Sequence, residues 1–174
     1  SPCGPRAIEP SRLPPDRARL LALLHTPPLA ETPVVAANRE PQIIKVRAGR
    51  LMEVMRDEMK PNYLAPGPQR ADVMALVMDM AEVLGPDVFV RQSRALQRRR
   101  DQQVTLRKCQ VPTLILCGAH DALCPVKRHA FMAELIPGAE LRVIEEAGHL
   151  PTLECPEQTT AALRDWMRRP AVTA

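Results

Sequence analysis

Apolar residues in this chain fall into two kinds of run. Short ones, Leu20 to Leu24 closed by His25-Thr26-Pro27-Pro28 and Leu114 to Cys117 closed by Gly118, have the length and content of strands buried on both faces, the habit of parallel sheets. Longer ones have helical spacing. Ile43, Ile44, Val46, Leu51, Val54, Met55 and Met59 form one apolar face, ended by Pro61-Asn62-Tyr63. Val73, Leu76, Val77, Met80 and Leu84 form a second face, predicting a helix over 69–84 with these residues inward. Gly85-Pro86 breaks it, and Pro86 opens a third helix reaching about residue 100. From residue 111 the order is strand, helix, strand, helix over 112–117, 126–136, 140–145 and 157–168. Such alternation predicts an α/β fold of parallel strands joined by right-handed crossover helices. The expected organisation is 1–37 with one core strand, 38–100 as a helical insertion, and 101–174 as the remaining core, with polar 101–110 as the joining segment.

At 174 residues the chain is long enough for one domain with its own core. The net charge of +4 owes much to Arg91, Arg94, Arg98, Arg99 and Arg100. With one Trp, one Tyr and two Phe in the whole chain there is no stacking platform beside those arginines, so a solvated helix face is expected rather than a nucleic-acid site. No apolar run reaches membrane-spanning length, and neither a membrane nor a secretory leader is expected. The five cysteines are odd in number and match no zinc-ligand spacing, so no metal and no cofactor is expected and the cytoplasm is the default compartment.

Candidate chemistry sits where two strands end. Asp121 follows Gly118-Ala119-His120, and His149 follows Gly148, 28 residues later. A carboxylate and an imidazole brought together make an orienter and a general base, two of the three members of a nucleophile–base–orienter set. Asp121 has the alternative role of capping the helix near Pro125, and His149 that of a surface-turn residue. His120 and His129 show no paired ligand spacing and are expected at the surface. His25 either packs structurally or faces a pocket mouth. Met52, Met55, Met59, Met74, Met78 and Met80 either line an adaptable pocket or pack helix against helix.

Several of these segments together resemble the C-terminal half of the α/β-hydrolase superfamily. Pro112 to Gly118 resembles the strand before the acid turn, and His120-Asp121-Ala122-Leu123-Cys124-Pro125-Val126 the turn itself. Ile136-Pro137-Gly138 leads into the last strand, Gly148-His149 resembles the histidine turn, and Glu154-Cys155-Pro156-Glu157 opens the final helix. The resemblance implies a partial α/β-hydrolase fold in which 38–100 is a lid, and hydrolysis of ester, thioester or lactone bonds by a Ser–Asp–His mechanism. Asp121 and His149 would serve that chemistry, and Met55, Met59, Met80 and Leu123 would contact a small acyl substrate or ligand.

The family's G-x-S-x-G elbow is absent. Ser1-Pro2-Cys3-Gly4 resembles its remnant and makes Ser1 the candidate nucleophile. Pro2 offers no N–H to an oxyanion, and Pro5 and Pro10 interrupt the helix that should follow. The expectation is a truncated form that is inactive alone. The competing expectation is a non-catalytic domain that binds a ligand or partner, or self-associates through an exposed strand at 19–25.

Overall fold

The computed structural model describes residues 19–59 and 63–168. Three parallel strands lie in the order β1 (Leu21–Leu24), β2 (Thr113–Gly118) and β3 (Glu140–Ile144). Leu21 pairs with Thr113 and Leu114 with Glu140, so the central strand carries a ladder on each side. Every residue of β2 is buried, as its unbroken apolar run requires. Successive side chains of β2 alternate between two cores. Ile115 packs with Leu23, Leu106, Met132, Leu135 and Ile136 on one face. Leu114 and Leu116 pack with Ile144, Ala147, Cys155 and Trp166 on the other. Those faces are covered by α6 (Val126–Leu135) and α8 (Pro156–Met167), preceded by the short α7 (Pro151–Glu154).

Between β1 and β2 the chain is helical. It forms α1 (Pro33–Ala37), α2 (Arg39–Arg47), α3 (Leu51–Glu53) running into a π-helical stretch (Val54–Met59), α4 (Arg70–Gln97) and α5 (Gln103–Arg107). The first helix starts five residues before the expected helical region, and its signals stand in the sequence: Thr32 accepts from the Val35 amide, and Pro33 occupies the first turn. Helix α4 breaks where Gly85-Pro86 predicts, with Gly85 at φ 75° and ψ 176°. Val46, Leu51, Val54, Met55, Leu64, Val73, Val77 and Met78 build a core of their own, against which Leu150 and Leu153 also pack.

Four expectations are corrected here. The joining segment 101–110 is not merely polar: it contains α5, whose Leu106 is fully buried beneath the sheet. Ile44 is exposed, because Ile43 and Val46 take the inward side of α2. Val73 and Val77 lie on the inner side of α4 as expected, but Leu76, Met80 and Leu84 are about half exposed, because Met78 completes that inner side in their place. His129 is completely buried rather than superficial, since it lies on the inner face of α6, one turn before Met132. No described helix is long and apolar enough to cross a membrane.

Candidate active site

Asp121 and His149 occupy adjacent turns beyond the carboxyl ends of β2 and β3. Backbone bonds stitch those turns together: the Ala119 amide donates to the Ile144 carbonyl at 3.0 Å, and the His120 amide to Ala147 at 2.9 Å. A Cβ on Gly118 would collide with the Ala147 and Gly148 carbonyl oxygens, so glycine is what lets the two turns approach so closely.

Within that frame Asp121 divides its carboxylate between two tasks. Oδ1 accepts from the amides of Leu123 (2.9 Å) and Cys124 (2.8 Å), closing the turn at the head of α6. Oδ2 lies 2.9 Å from His149 Nδ1. The capping role and the histidine contact, open alternatives in the sequence, are thus both made by the same side chain. Asp121 is 3% and His149 7% exposed. Burial pushes the Asp121 carboxyl upward, but the hydrogen bond and charge of His149 and the two amides outweigh it, and the net shift is downward. The carboxylate therefore stays ionised and fixes a proton on Nδ1, which leaves Nε2 as the nitrogen able to accept one.

Two rings flank His149. Tyr63 lies 5.9 Å away between centroids, and its carbonyl accepts the His149 amide at 2.6 Å. His25 meets His149 edge-on at 5.6 Å. His25 has a left-handed backbone, φ 42°, at the end of β1, and its buried Nδ1 has no hydrogen-bond partner. Burial, reinforced by the charge on His149, lowers its pKa to about 4, so it is a neutral imidazole at pH 7. His25 thus packs against the ring of His149.

Asp121, Cys124 and His149 also present ligand atoms within 4.8 Å of one another. A metal there would have to displace the Asp121–His149 hydrogen bond and ionise a thiol whose pKa burial and Asp121 push up to about 11. The same shift keeps Cys124 protonated and makes it a poor nucleophile. The arrangement suits proton transfer better than metal binding.

The other sequence candidates divide. Met55 and Met59 pack within the core of the helical segment. Met80 stands 49% exposed and does not join that core. Leu123 is half-buried in the acid turn. Ser1 lies outside the described residues. Ser93, the one serine among the described residues, is buried in α4. Sequence reasoning missed the placement of Tyr63 and of Glu154, a buried carboxylate that accepts three backbone amides around the histidine turn. In the sequence Glu154 stands only as part of the segment opening the final helix; the structure places it at the end of α7, before α8 begins at Pro156.

Residues 3–163 match the model of the family described as "Alpha/beta hydrolase family". A thermophilic esterase from Thermogutta terrifontis superposes with a TM-score of 0.87 at 30% identity, over 95% of this chain and 61% of that one. The mouse protein ABHD8 is 40% identical over 57 residues, which cover 33% of this chain and 13% of that protein. A putative carbamate hydrolase, RutD, from Pseudomonas savastanoi pv. phaseolicola is 31% identical over 88 residues, 51% of this chain and 34% of that one. The chain thus spans well under two thirds of the length of these curated relatives. With a family match over most of its length, parallel strands, and two turns bonded to each other at their carboxyl ends, this chain belongs to the alpha/beta hydrolase family.

Proposed function

We propose that the protein serves hydrolysis of carboxylic acyl bonds (ester, thioester or lactone), with His149 as general base and Asp121 as its orienter. The observation that carries this reading is the 2.9 Å contact between His149 Nδ1 and a buried, ionised Asp121 Oδ2. A serine nucleophile would give its proton to Nε2, attack the acyl carbon and form an acyl-enzyme. The imidazolium would then protonate the leaving group, and water activated by the same Nε2 would release the acid. The esterase among the similar structures and the carbamate hydrolase among the similar sequences act at carbonyl centres by their names, which supports an acyl substrate here. The helical segment from Pro33 to Gln97 serves as the lid, with Met55 and Met59 shaping it from within.

Ser1 is the proposed nucleophile, and Pro2 beside it withholds an oxyanion donor worth about 3 kcal/mol in known hydrolases. Turnover by this chain alone is therefore expected at background. A fluorophosphonate probe and short p-nitrophenyl esters test both parts. Labelling of Ser1 that disappears in His149→Ala supports the catalytic role and overturns the expected inactivity. Turnover that survives His149→Ala overturns the role given to His149. With no labelling, saturable binding of a short-chain acid or ester, followed by tryptophan fluorescence of Trp166, favours the second reading, a ligand-binding domain that keeps the acid–base pair.

A further inference from the structure

Glu154 and the loop at 63–70 meet the histidine turn in an arrangement that proton transfer alone does not explain. Glu154 closes α7 and is 6% exposed. Its Oε1 accepts the Leu150 amide at 2.9 Å, while its Oε2 is shared between the Gly148 amide at 2.9 Å and the Ala65 amide at 2.7 Å. The amides on both sides of His149 are thus tied to one carboxylate, and the third donor on that carboxylate comes from the helical segment. The amide between them, that of His149 itself, goes to Tyr63 in the same loop at 2.6 Å. Backbone meets backbone here: a Cβ on Gly148 would lie 2.7 Å from Ala65 N and 2.8 Å from Tyr63 O. The loop is held from its other side as well, where the Arg70 guanidinium donates to the carbonyls of Leu64 and Ala65, and Gln69 Nε2 donates to the Glu154 carbonyl at 3.0 Å.

From this geometry we infer that Glu154 is a positioning residue that makes the placement of His149 depend on the seating of the 63–70 loop. Withdrawing the loop removes the acceptor of the His149 amide and one of three donors to a buried carboxylate in a single movement. Buried groups left short of partners seek new ones. The histidine turn therefore shifts with the loop, and the Nδ1–Oδ2 contact with Asp121 loosens. The consequence for chemistry rests on the proposed role of His149 as base: the base is oriented only when the helical segment is seated. Water entering an open site would then meet a histidine that is not poised to activate it.

The test reads the histidine directly and needs no turnover. In the full chain, the Nδ1 proton of His149 held against Asp121 gives a downfield proton resonance, and amide exchange reports Ala65, Gly148 and Leu150. Glu154→Gln replaces one accepting oxygen by an amide NH2 that faces a donor. The expected result is loss of the downfield resonance and at least tenfold faster exchange at all three amides, with Ile115 and Leu116 in β2 unchanged. Arg70→Met loosens the loop without touching Glu154 or the histidine turn, and serves even where the first variant folds poorly. It should speed exchange at Gly148 and Leu150 together with Ala65. A folded Glu154→Gln protein with an unaltered His149 resonance overturns the inference, as does Arg70→Met exchange that rises at Ala65 alone. Failure of the hydrolase reading would show instead as ester turnover or probe labelling that survives His149→Ala, with these couplings intact.

Discussion

Asp121 answers to two neighbours at once, and that fixes what its replacement does. In Asp121→Asn the side-chain oxygen can still accept the Leu123 and Cys124 amides, but the NH2 then faces His149 Nδ1 and stabilises the wrong tautomer. The variant should fold and lose the downfield Nδ1 proton, which circular dichroism and proton nuclear magnetic resonance check separately. Two buried histidines carry the pH dependence, since burial lowers the pKa of both His25 and His129. In the fold His25 stays neutral down to about pH 4, whereas an unfolded chain protonates it near 6.5. Between those values the unfolded chain binds more protons, so stability is full above about pH 6.5 and falls as pH drops towards 4. Asp121 adds a loss in the same direction at lower pH: its contribution is full above about 3.9 and is lost as pH falls through its depressed folded value. Denaturant midpoints at several pH values should fall accordingly, and His25→Leu should make the limb between 6.5 and 4 shallower, leaving the share of His129 and the lower limb in place.

At the scale of elements, two glycines do different jobs, and alanine should separate them. Gly85 breaks α4 with φ 75° and ψ 176°, a region that side chains avoid, yet a Cβ there meets only open space. Gly85→Ala should therefore cost about 1–3 kcal/mol through backbone strain alone. Gly118 has no such backbone demand; its Cβ would strike the Ala147 and Gly148 carbonyls of the histidine turn. Gly118→Ala should cost about 1–3 kcal/mol by overpacking and should also disturb the His149 resonance. Urea midpoints measure both costs, and only the second variant should alter the site. The breaks and caps of these elements were readable: Gly85-Pro86, Thr32-Pro33 and the apolar run of β2 are local signals with local causes. The inward face of α4 was readable only in part: Val73 and Val77 face in as their spacing predicts, while packing against α2 and α3 buries Met78 and leaves Leu76, Met80 and Leu84 about half exposed.

For the molecule as a whole, the joining stretch proves to be part of the foundation. Leu106 sits in α5 between the helical segment and β2, is completely buried, and packs with Leu23, Ile115 and Met132 beneath the sheet. Leu106→Ala should cost about 2–5 kcal/mol, visible as a lower denaturation midpoint for the entire chain rather than for one part. The sheet and the helical segment also share the histidine turn. Leu150 and Leu153 follow His149 and pack into the core of Val46, Val54 and Met55, so the turn is braced by both halves of the structure. A site placed at such a junction senses the fit between the halves, which is why the loop at 63–70 can govern it.

The sequence by itself determined the order of strands and helices, the two turns that carry Asp121 and His149, and the family these segments resemble. Each rests on short-range patterning: apolar runs, helical periodicity, and glycine or proline where the backbone must turn. The tertiary structure alone decided the rest. It closed 28 residues of chain into a 2.9 Å contact, buried His129 and Leu106, exposed Met80, set His25 against His149, and gave Glu154 its three amides. None of these has a local signature, because burial and hydrogen bonding between distant residues depend on which surfaces the packed elements turn towards each other.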